Sequence, residues 1–378
     1  MKLALVISSL GGGGAERVMT LLANAWAGGG NEVTLITLAS SRMDAFPLAP
    51  GVRRVALDVA GPSTHVAAAI GHNVVRIRAL RRAIAASRPD AVISFIAESN
   101  VRVLVAMIGS RVPVIISERT FINGHHMRGV WRVLRRWLYP RAAAIVAQTG
   151  RCATELERLV RRRVDVIANP ITVQPAPAAT GPVVPADAAS GNRTLLAVGR
   201  LAPEKGFDLL LDAFAQVAWR HADWNLVILG EGPLRAALQG QVERDGLVGR
   251  VAMPGFDAHV RAAMRRADLF VLSSRYEGFP NALLEAMAEG VACVSCDCDT
   301  GPRELIEHDR NGWLVEPGNA PALATALDAL MRDADLRARL GHNARAVAAT
   351  YALPVILGQW NALVRAVLAP SAARVLQP

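Results

Sequence analysis

Short apolar runs alternate with longer segments whose apolar positions recur every three or four residues, the periods of buried strands and amphipathic helices. In the first half the runs lie at residues 3–7, 33–38, 52–57, 91–96, 113–117, 142–147 and 164–167. Helices fit between them at 15–27, 64–87, 100–108, 128–138 and 150–161. From 169 to 193 the alternation stops, and Pro170, Pro175, Pro177, Pro182 and Pro185 stand among small residues, the composition of a linker. A second series follows, with strands at 195–198, 226–229, 251–253, 269–272, 292–296 and 313–315. Its helices fall at 206–220, 233–244, 258–265, 281–289, 303–307, 320–331 and 335–349, and a last one at 354–368. Strands alternating with helices build parallel, doubly wound sheets that bind ligands at the carboxyl ends of the strands. A chain of 378 residues suits two such domains better than one core.

The strand-to-helix junctions carry the candidate chemistry. Ser273-Ser-Arg-Tyr-Glu-Gly-Phe-Pro-Asn-Ala-Leu-Leu-Glu285 follows the 269–272 run, with Pro280 suited to a helix start and Gly290 to its stop. This spacing sets Glu277 just before the helix and Glu285 inside it. Free N–H groups and the positive dipole end at such a start suit a phosphate. Two carboxylates around it fit a ligand with hydroxyls on both sides of a diphosphate, such as a nucleotide sugar. In Val198-Gly-Arg-Leu-Ala-Pro-Glu-Lys-Gly-Phe207 another strand ends in a loop that brings Arg200 and Lys205 over one ligand. Two fixed cations there would neutralise charge growing on a leaving diphosphate.

These two stretches resemble the donor-site motifs of retaining family-4 glycosyltransferases with the GT-B fold, in particular transferases of lipid-linked oligosaccharide, O-antigen and exopolysaccharide assembly. The resemblance covers nearly the whole chain and is strongest from Val198 to Glu316. It implies two Rossmann-like α/β domains facing across a cleft. Residues 1–170 would bind the acceptor, completed by a returning helix at 354–378, and 194–353 the nucleotide sugar, with 171–193 as linker. It further implies that Glu285 holds the ribose hydroxyls and Glu277 the donor sugar. Arg200, Lys205 and the helix start around Gly278, Phe279, Pro280, Asn281, Ala282 and Leu283 would hold the diphosphate. Leu229-Gly-Glu-Gly-Pro-Leu234 resembles the next strand-end turn, so Gly230 and Glu231 line the nucleotide pocket and Phe256 borders the base. Gly301-Pro-Arg-Glu304 also resembles the family.

Ser8-Ser-Leu-Gly-Gly-Gly-Gly-Ala-Glu-Arg17 opens a helix after the first strand. It lacks the third glycine of the dinucleotide fingerprint, and Glu32 is an imperfect match for its acidic residue, which argues against NAD. By resemblance Gly13 and Gly14 touch the diphosphate, and Glu16 lies towards the acceptor. Glu98, Glu118 and Arg119 follow strands at the same edge and are assigned to the acceptor side, a structural salt bridge being the alternative for the last two. Where many relatives carry histidine this chain has Arg119, a donor that stays charged.

Charge changes the picture further. Residues 1–189 carry 23 Lys and Arg against 11 Asp and Glu, while residues 190–378 carry 19 against 21. One basic half implies an anionic partner. The segment 127–141 mixes Arg128, Arg132, Arg135 and Arg136 with Trp131 and Trp137; Val130, Val133, Leu134, Trp137 and Leu138 share one side at helical spacing. Such a helix either lies in an anionic membrane interface or docks on its own sheet with solvated arginines. Nearby Arg76, Arg78, Arg81, Arg82 and Arg161-Arg-Arg163 favour the membrane. No nucleic-acid module is present. Cys293, Cys296 and Cys298 read as a buried strand and its exit, not as metal ligands. Asp297-Cys-Asp299 has the spacing of an Asp-x-Asp metal motif away from the donor residues. No apolar run reaches about 18 residues, the length of a membrane span, and the first residues are too short for a signal peptide.

The expectation is a metal-independent, cofactor-free retaining enzyme, peripheral at the cytoplasmic membrane face. It moves GalNAc, Gal, GlcNAc or Glc from a UDP-sugar to a polyprenyl-diphosphate-linked or other glycan acceptor. GDP-mannose transfer is the alternative, followed by a nucleotide-sugar epimerase or a scaffold with a decayed site.

Overall fold

The computed structural model describes residues 1–61, 66–119, 129–172, 192–257 and 259–369. Two compact units emerge: Met1–Pro170 with Leu353–Pro378, and Ile171–Ala352.

The first unit is built on β1 (Lys2–Ile7), β2 (Glu32–Thr37), β3 (Val52–Ala56), β4 (Ala91–Phe95), β5 (Val114–Ser117), β6 (Ala144–Ala147) and β7 (Asp165–Val166). They form one sheet in the order β3-β2-β1-β4-β5-β6-β7, every neighbouring pair parallel. The apolar runs are central strands covered on both faces, as parallel sheets require: Leu3 through Ile7 are all buried, as are Ala91 through Phe95. The helices are α1 (Gly14–Gly28), α2 (Val66–Ser87), α3 (Ala97–Ala106), α4 (Gly129–Leu138) and α5 (Gly150–Val160), the last capped by Thr149 accepting from the Cys152 N–H at 3.2 Å.

Helix α3 starts three residues before its expected position. Ile96 turns the chain there with φ of 74°, an unusual conformation for a β-branched residue. Glu98 therefore sits in the first helical turn, paired with Arg102 at 3.2 Å, and not in a strand-exit loop.

The second unit repeats the plan with β8 (Arg193–Val198), β9 (Trp224–Leu229), β10 (Val251–Gly255), β11 (Leu269–Leu272), β12 (Cys293–Cys296) and β13 (Trp313–Val315), in the order β10-β9-β8-β11-β12-β13 and parallel throughout. Around it lie α6 (Phe207–Ala218), α7 (Arg235–Arg244), α8 (Val260–Arg266), α9 (Asn281–Glu289), α10 (Pro302–Leu305), α11 (Ala320–Arg332), α12 (Ala334–Ala344) and α13 (Val347–Thr350). The single helix expected at 335–349 is split because the chain tightens near Arg345, where the Ala348 N–H donates to Arg345 O three residues back. Ile171 belongs to this unit through its N–H to Tyr351 O at 2.7 Å, while 173–191 of the expected linker lies outside the described residues.

The last helix, α14 (Leu353–Leu368), returns to the first unit. Trp360 is buried against Trp26 and Phe95, with ring centroids 6.3 and 5.8 Å away, and Asn361 accepts from the Trp26 indole N–H at 2.7 Å.

Candidate active site

A doubly wound sheet opens a crevice where its strand order reverses, because the loops on either side leave towards opposite faces. In the second unit that point lies between β8 and β11, and the loops after these two strands carry the candidate donor residues. The loop after β8 holds Arg200 and Lys205; the loop after β11 runs from Ser273 to Pro280 and enters α9.

Lys205 Nζ lies 2.7 Å from Glu277 Oε1, which also accepts from Ser274 Oγ at 2.7 Å. Thr300 Oγ1 donates to the Glu277 carbonyl, and Ser273 Oγ to the Lys205 carbonyl at 2.8 Å. Gly206, at φ of 61°, lets the loops meet: a Cβ there would stand 2.3 Å from Ser273 O. Arg275 clamps the outside, bonding the Pro203 carbonyl and both oxygens of Asp208, whose pKa the Arg275 hydrogen bond lowers. Ser274, Thr300 and Arg275 escaped the sequence reading of roles; only their place inside or beside quoted motifs could have flagged them.

Glu277 and Glu285 are each 8% exposed, so both carboxylates sit largely out of water near the start of α9. Pro280 precedes the helix and Gly290 ends it at φ of 81°. Phe279 and Leu283 are core side chains, the Phe279 ring meeting Tyr351 at 59° with centroids 5.9 Å apart. Asn281 and Ala282, in the first turn of α9, are half-buried. Gly301 packs on Pro280, where a Cβ would come within 2.5 Å of the proline ring, which gives Gly301-Pro-Arg-Glu304 a structural job.

Arg200 is exposed and ion-paired with Glu204; burial raises the Glu204 pKa, but the Arg200 hydrogen bond, the residue's own backbone N–H and the Arg200 and Lys205 charges together bring it below its ordinary value. At the ends of β9 and β10, Gly230 backs onto the Gly199 carbonyl, 1.9 Å from a would-be Cβ. Glu231 is held by Arg235 at 2.6 Å, and Phe256 projects its ring into solvent. Cys293, Cys296 and Cys298 are buried, and burial raises their thiols, Cys296 to about 11 and Cys298 to about 12. Asp297 is taken up by Arg303.

The first unit brings its own candidates to the equivalent edge. Its reversal lies between β1 and β4, where Ser8 and Ser99 hydroxyls meet at 2.7 Å. Gly13 and Gly14 open α1, and the Glu16 carboxylate folds back into the space a Gly13 Cβ would need; burial raises its pKa. Glu118 and Arg119 are buried beyond β5.

The basic helix corrects the sequence reading. Arg135 is buried, 3.7 Å from Glu118, and cannot face a membrane; Trp131 is half-buried under the Arg102 guanidinium at 4.8 Å. Leu138 is buried and Leu134 half-buried, so the expected apolar side divides between the protein and solvent. Outward face Val130, Arg132, Val133, Arg136 and Trp137. Arg128 lies outside the described residues. Arg76 is likewise internal, donating to the Val59 and Gly61 carbonyls.

Two parallel, doubly wound sheets of this kind are the halves of the GT-B fold. The chain belongs to glycosyltransferase family 4: the model described as Glycosyltransferase Family 4 matches residues 12–174, and that described as Glycosyl transferases group 1 matches 185–347. A Campylobacter jejuni relative, an α-1,4-N-acetyl-D-galactosaminyltransferase acting on GalNAc-α-(1→4)-GalNAc-α-(1→3)-diNAcBac-PP-undecaprenol, is 30% identical over 372 residues, covering 96% of this chain and 98% of its own. Among solved structures, sucrose-phosphate synthase from Thermosynechococcus elongatus superposes with a TM-score of 0.81 at 21% identity, covering 96% of this chain and 98% of that one. Anabaena HepE in complex with UDP and glucose gives 0.77 at 20%, covering 97% and 99%.

Proposed function

We propose that this glycosyltransferase moves a sugar from a UDP-sugar, with GalNAc the first candidate and Gal, GlcNAc or Glc behind it, to a lipid-linked glycan acceptor. The observation that carries the reading is the Lys205–Glu277 pair at the switch point of the second sheet, next to the start of α9. In this reading Arg200 and Lys205 hold the diphosphate and take up the charge that grows on it as the glycosidic bond breaks. Glu277 holds the donor sugar, Glu285 the ribose hydroxyls, and Phe256 the base. The leaving phosphate assists removal of the acceptor proton on the same face of the sugar, so configuration is retained without a protein nucleophile or a metal ion. The C. jejuni relative supports GalNAc and a polyprenyl-diphosphate acceptor. The test is thermal stabilisation by UDP, GDP and their sugars, with and without magnesium. UDP and one UDP-sugar are expected to raise Tm without magnesium, and Glu285→Ala to abolish the shift. Stabilisation by GDP alone would redirect the donor to GDP-mannose.

Contact with the membrane surface is part of the same proposal. Among the described residues no helix is long and apolar enough to cross a membrane. Val130, Val133 and Trp137, the last 70% exposed, form an apolar stripe on α4, and Arg132 and Arg136 run together along one side of it. Each arginine near an anionic surface is worth about 1 kcal/mol, so Arg132→Ala/Arg136→Ala should weaken binding to phosphatidylglycerol-containing vesicles about thirtyfold. Trp137→Ala should weaken it further, and binding insensitive to both changes would remove α4 from the contact.

A further inference from the structure

The first unit holds a buried polar cluster that the donor chemistry does not use. Four neighbouring strands end at it: Phe95 closes β4, Glu118 and Arg119 follow β5, Gln148 follows β6, and Asn169 lies beyond β7. All five are buried. The Arg119 guanidinium lies 3.6 Å from the Phe95 ring centroid. One of its amino groups, Nη1, donates to Asn169 Oδ1, which also accepts from Gln148 Nε2 at 2.7 Å.

The other edge of the guanidinium is buried and unsatisfied. Arg119 is 7% exposed, yet its Nε and Nη2 have no hydrogen-bond partner among the described residues. Those two nitrogens form the side of the fork that receives both oxygens of a carboxylate or phosphate.

Charge points the same way. Glu118 is the carboxylate of the cluster and faces two guanidinium groups, Arg119 and Arg135. Its Oε2 accepts from the Tyr139 hydroxyl at 2.9 Å and lies 3.7 Å from Arg135, while Oε1 takes the backbone N–H of Arg119 at 3.3 Å. Burial lowers the Arg119 pKa to about 9, so the guanidinium is still charged at neutral pH. Among the described residues of the cluster two guanidinium charges meet one carboxylate, inside a region where unpaired ions are costly.

We propose that Arg119 recognises an anionic group of the acceptor, a phosphoryl or carboxylate group, at the carboxyl edge of β4 to β7. This rests on the reading of the first unit as the acceptor-binding half. Bound there, two anion oxygens would take the Nε and Nη2 protons and balance the surplus charge.

The experiment uses the full chain carrying Arg200→Ala and Lys205→Ala, which removes the second unit's candidate anion ligands. Inorganic phosphate, inorganic pyrophosphate and glucuronate are the probes, neutral glucose the control, and calorimetric Kd and Tm the readouts. At least one anion is expected to bind and stabilise, glucose is not, and Arg119→Gln should weaken the anion about ten- to a hundredfold. Phosphate or pyrophosphate without glucuronate assigns the site to a phosphoryl group, and the reverse to an acidic sugar. Arg119→Lys keeps the charge but loses the fork; it should weaken binding as well, and it serves if Arg119→Gln does not fold. Equal anion binding with and without Arg119, or none while UDP still stabilises the chain with Arg200 and Lys205 intact, overturns this inference alone. Loss of the UDP effect in that intact chain instead strikes the donor reading.

Discussion

Lys205→Ala is expected to lower kcat/KM for sugar transfer about a hundred- to a thousandfold, the range for removing one fixed charge from a developing anion. Lys205 is well placed for such a loss because its ammonium is held before any ligand arrives. Glu277 Oε1 lies 2.7 Å from it, and Ser273 fixes its backbone carbonyl. A pre-set cation needs no rearrangement as charge develops, whereas the exposed Arg200 must first leave Glu204. Arg200→Ala should therefore cost less than Lys205→Ala. A second effect accompanies the first. Without Lys205 the buried Glu277 carboxylate keeps Ser274 but loses its ion partner, which should destabilise the second unit by roughly 2 kcal/mol. Initial rates with a UDP-sugar donor and a melting curve measure the two separately. Rates within about threefold of wild type would place the diphosphate away from Lys205.

How much of this was legible in the sequence depends on how local each cause is. The parallel strands were, because a strand covered on both faces must be an unbroken apolar run, and helix α9 was, because proline and glycine mark its two ends. The candidate donor groups follow from that: residues just beyond two such strands meet at the reversal of strand order even though Lys205 and Glu277 are far apart in the chain. Arg135 was misjudged for the opposite reason. Helical periodicity places it beside the exposed arginines, and what draws it inward is Glu118, a carboxylate on another strand exit. The early start of α3 was hidden because it depends on Ile96 at positive φ, which no propensity favours. The unpaired edge of Arg119 was beyond sequence altogether, since it is defined by which acceptors are missing.

Trp360→Ala is expected to destabilise the first unit by about 3–5 kcal/mol, the usual cost of emptying a large aromatic site. The indole is fully buried, although the chain passes through the whole second unit before reaching it. Its edge meets Trp26 on α1 and its ring meets Phe95 at the end of β4, so one side chain ties α14 to the centre of the sheet. For a unit of this size the loss corresponds to a fall in Tm of about 10 °C. Trp360→Phe should cost far less, because most of the apolar volume remains and the indole N–H it deletes has no hydrogen-bond partner among the described residues. Phe95 carries the consequence further: its ring supports the Arg119 guanidinium at 3.6 Å. A cavity at Trp360 lets Phe95 relax, so anion binding should weaken in Trp360→Ala even where the protein remains folded, while UDP still stabilises the second unit. Scanning calorimetry with and without UDP, beside phosphate and glucuronate titrations, separates these effects. A Trp360→Ala protein that melts like wild type would mean that α14 is held to the first unit by other contacts, and that the acceptor side does not depend on it.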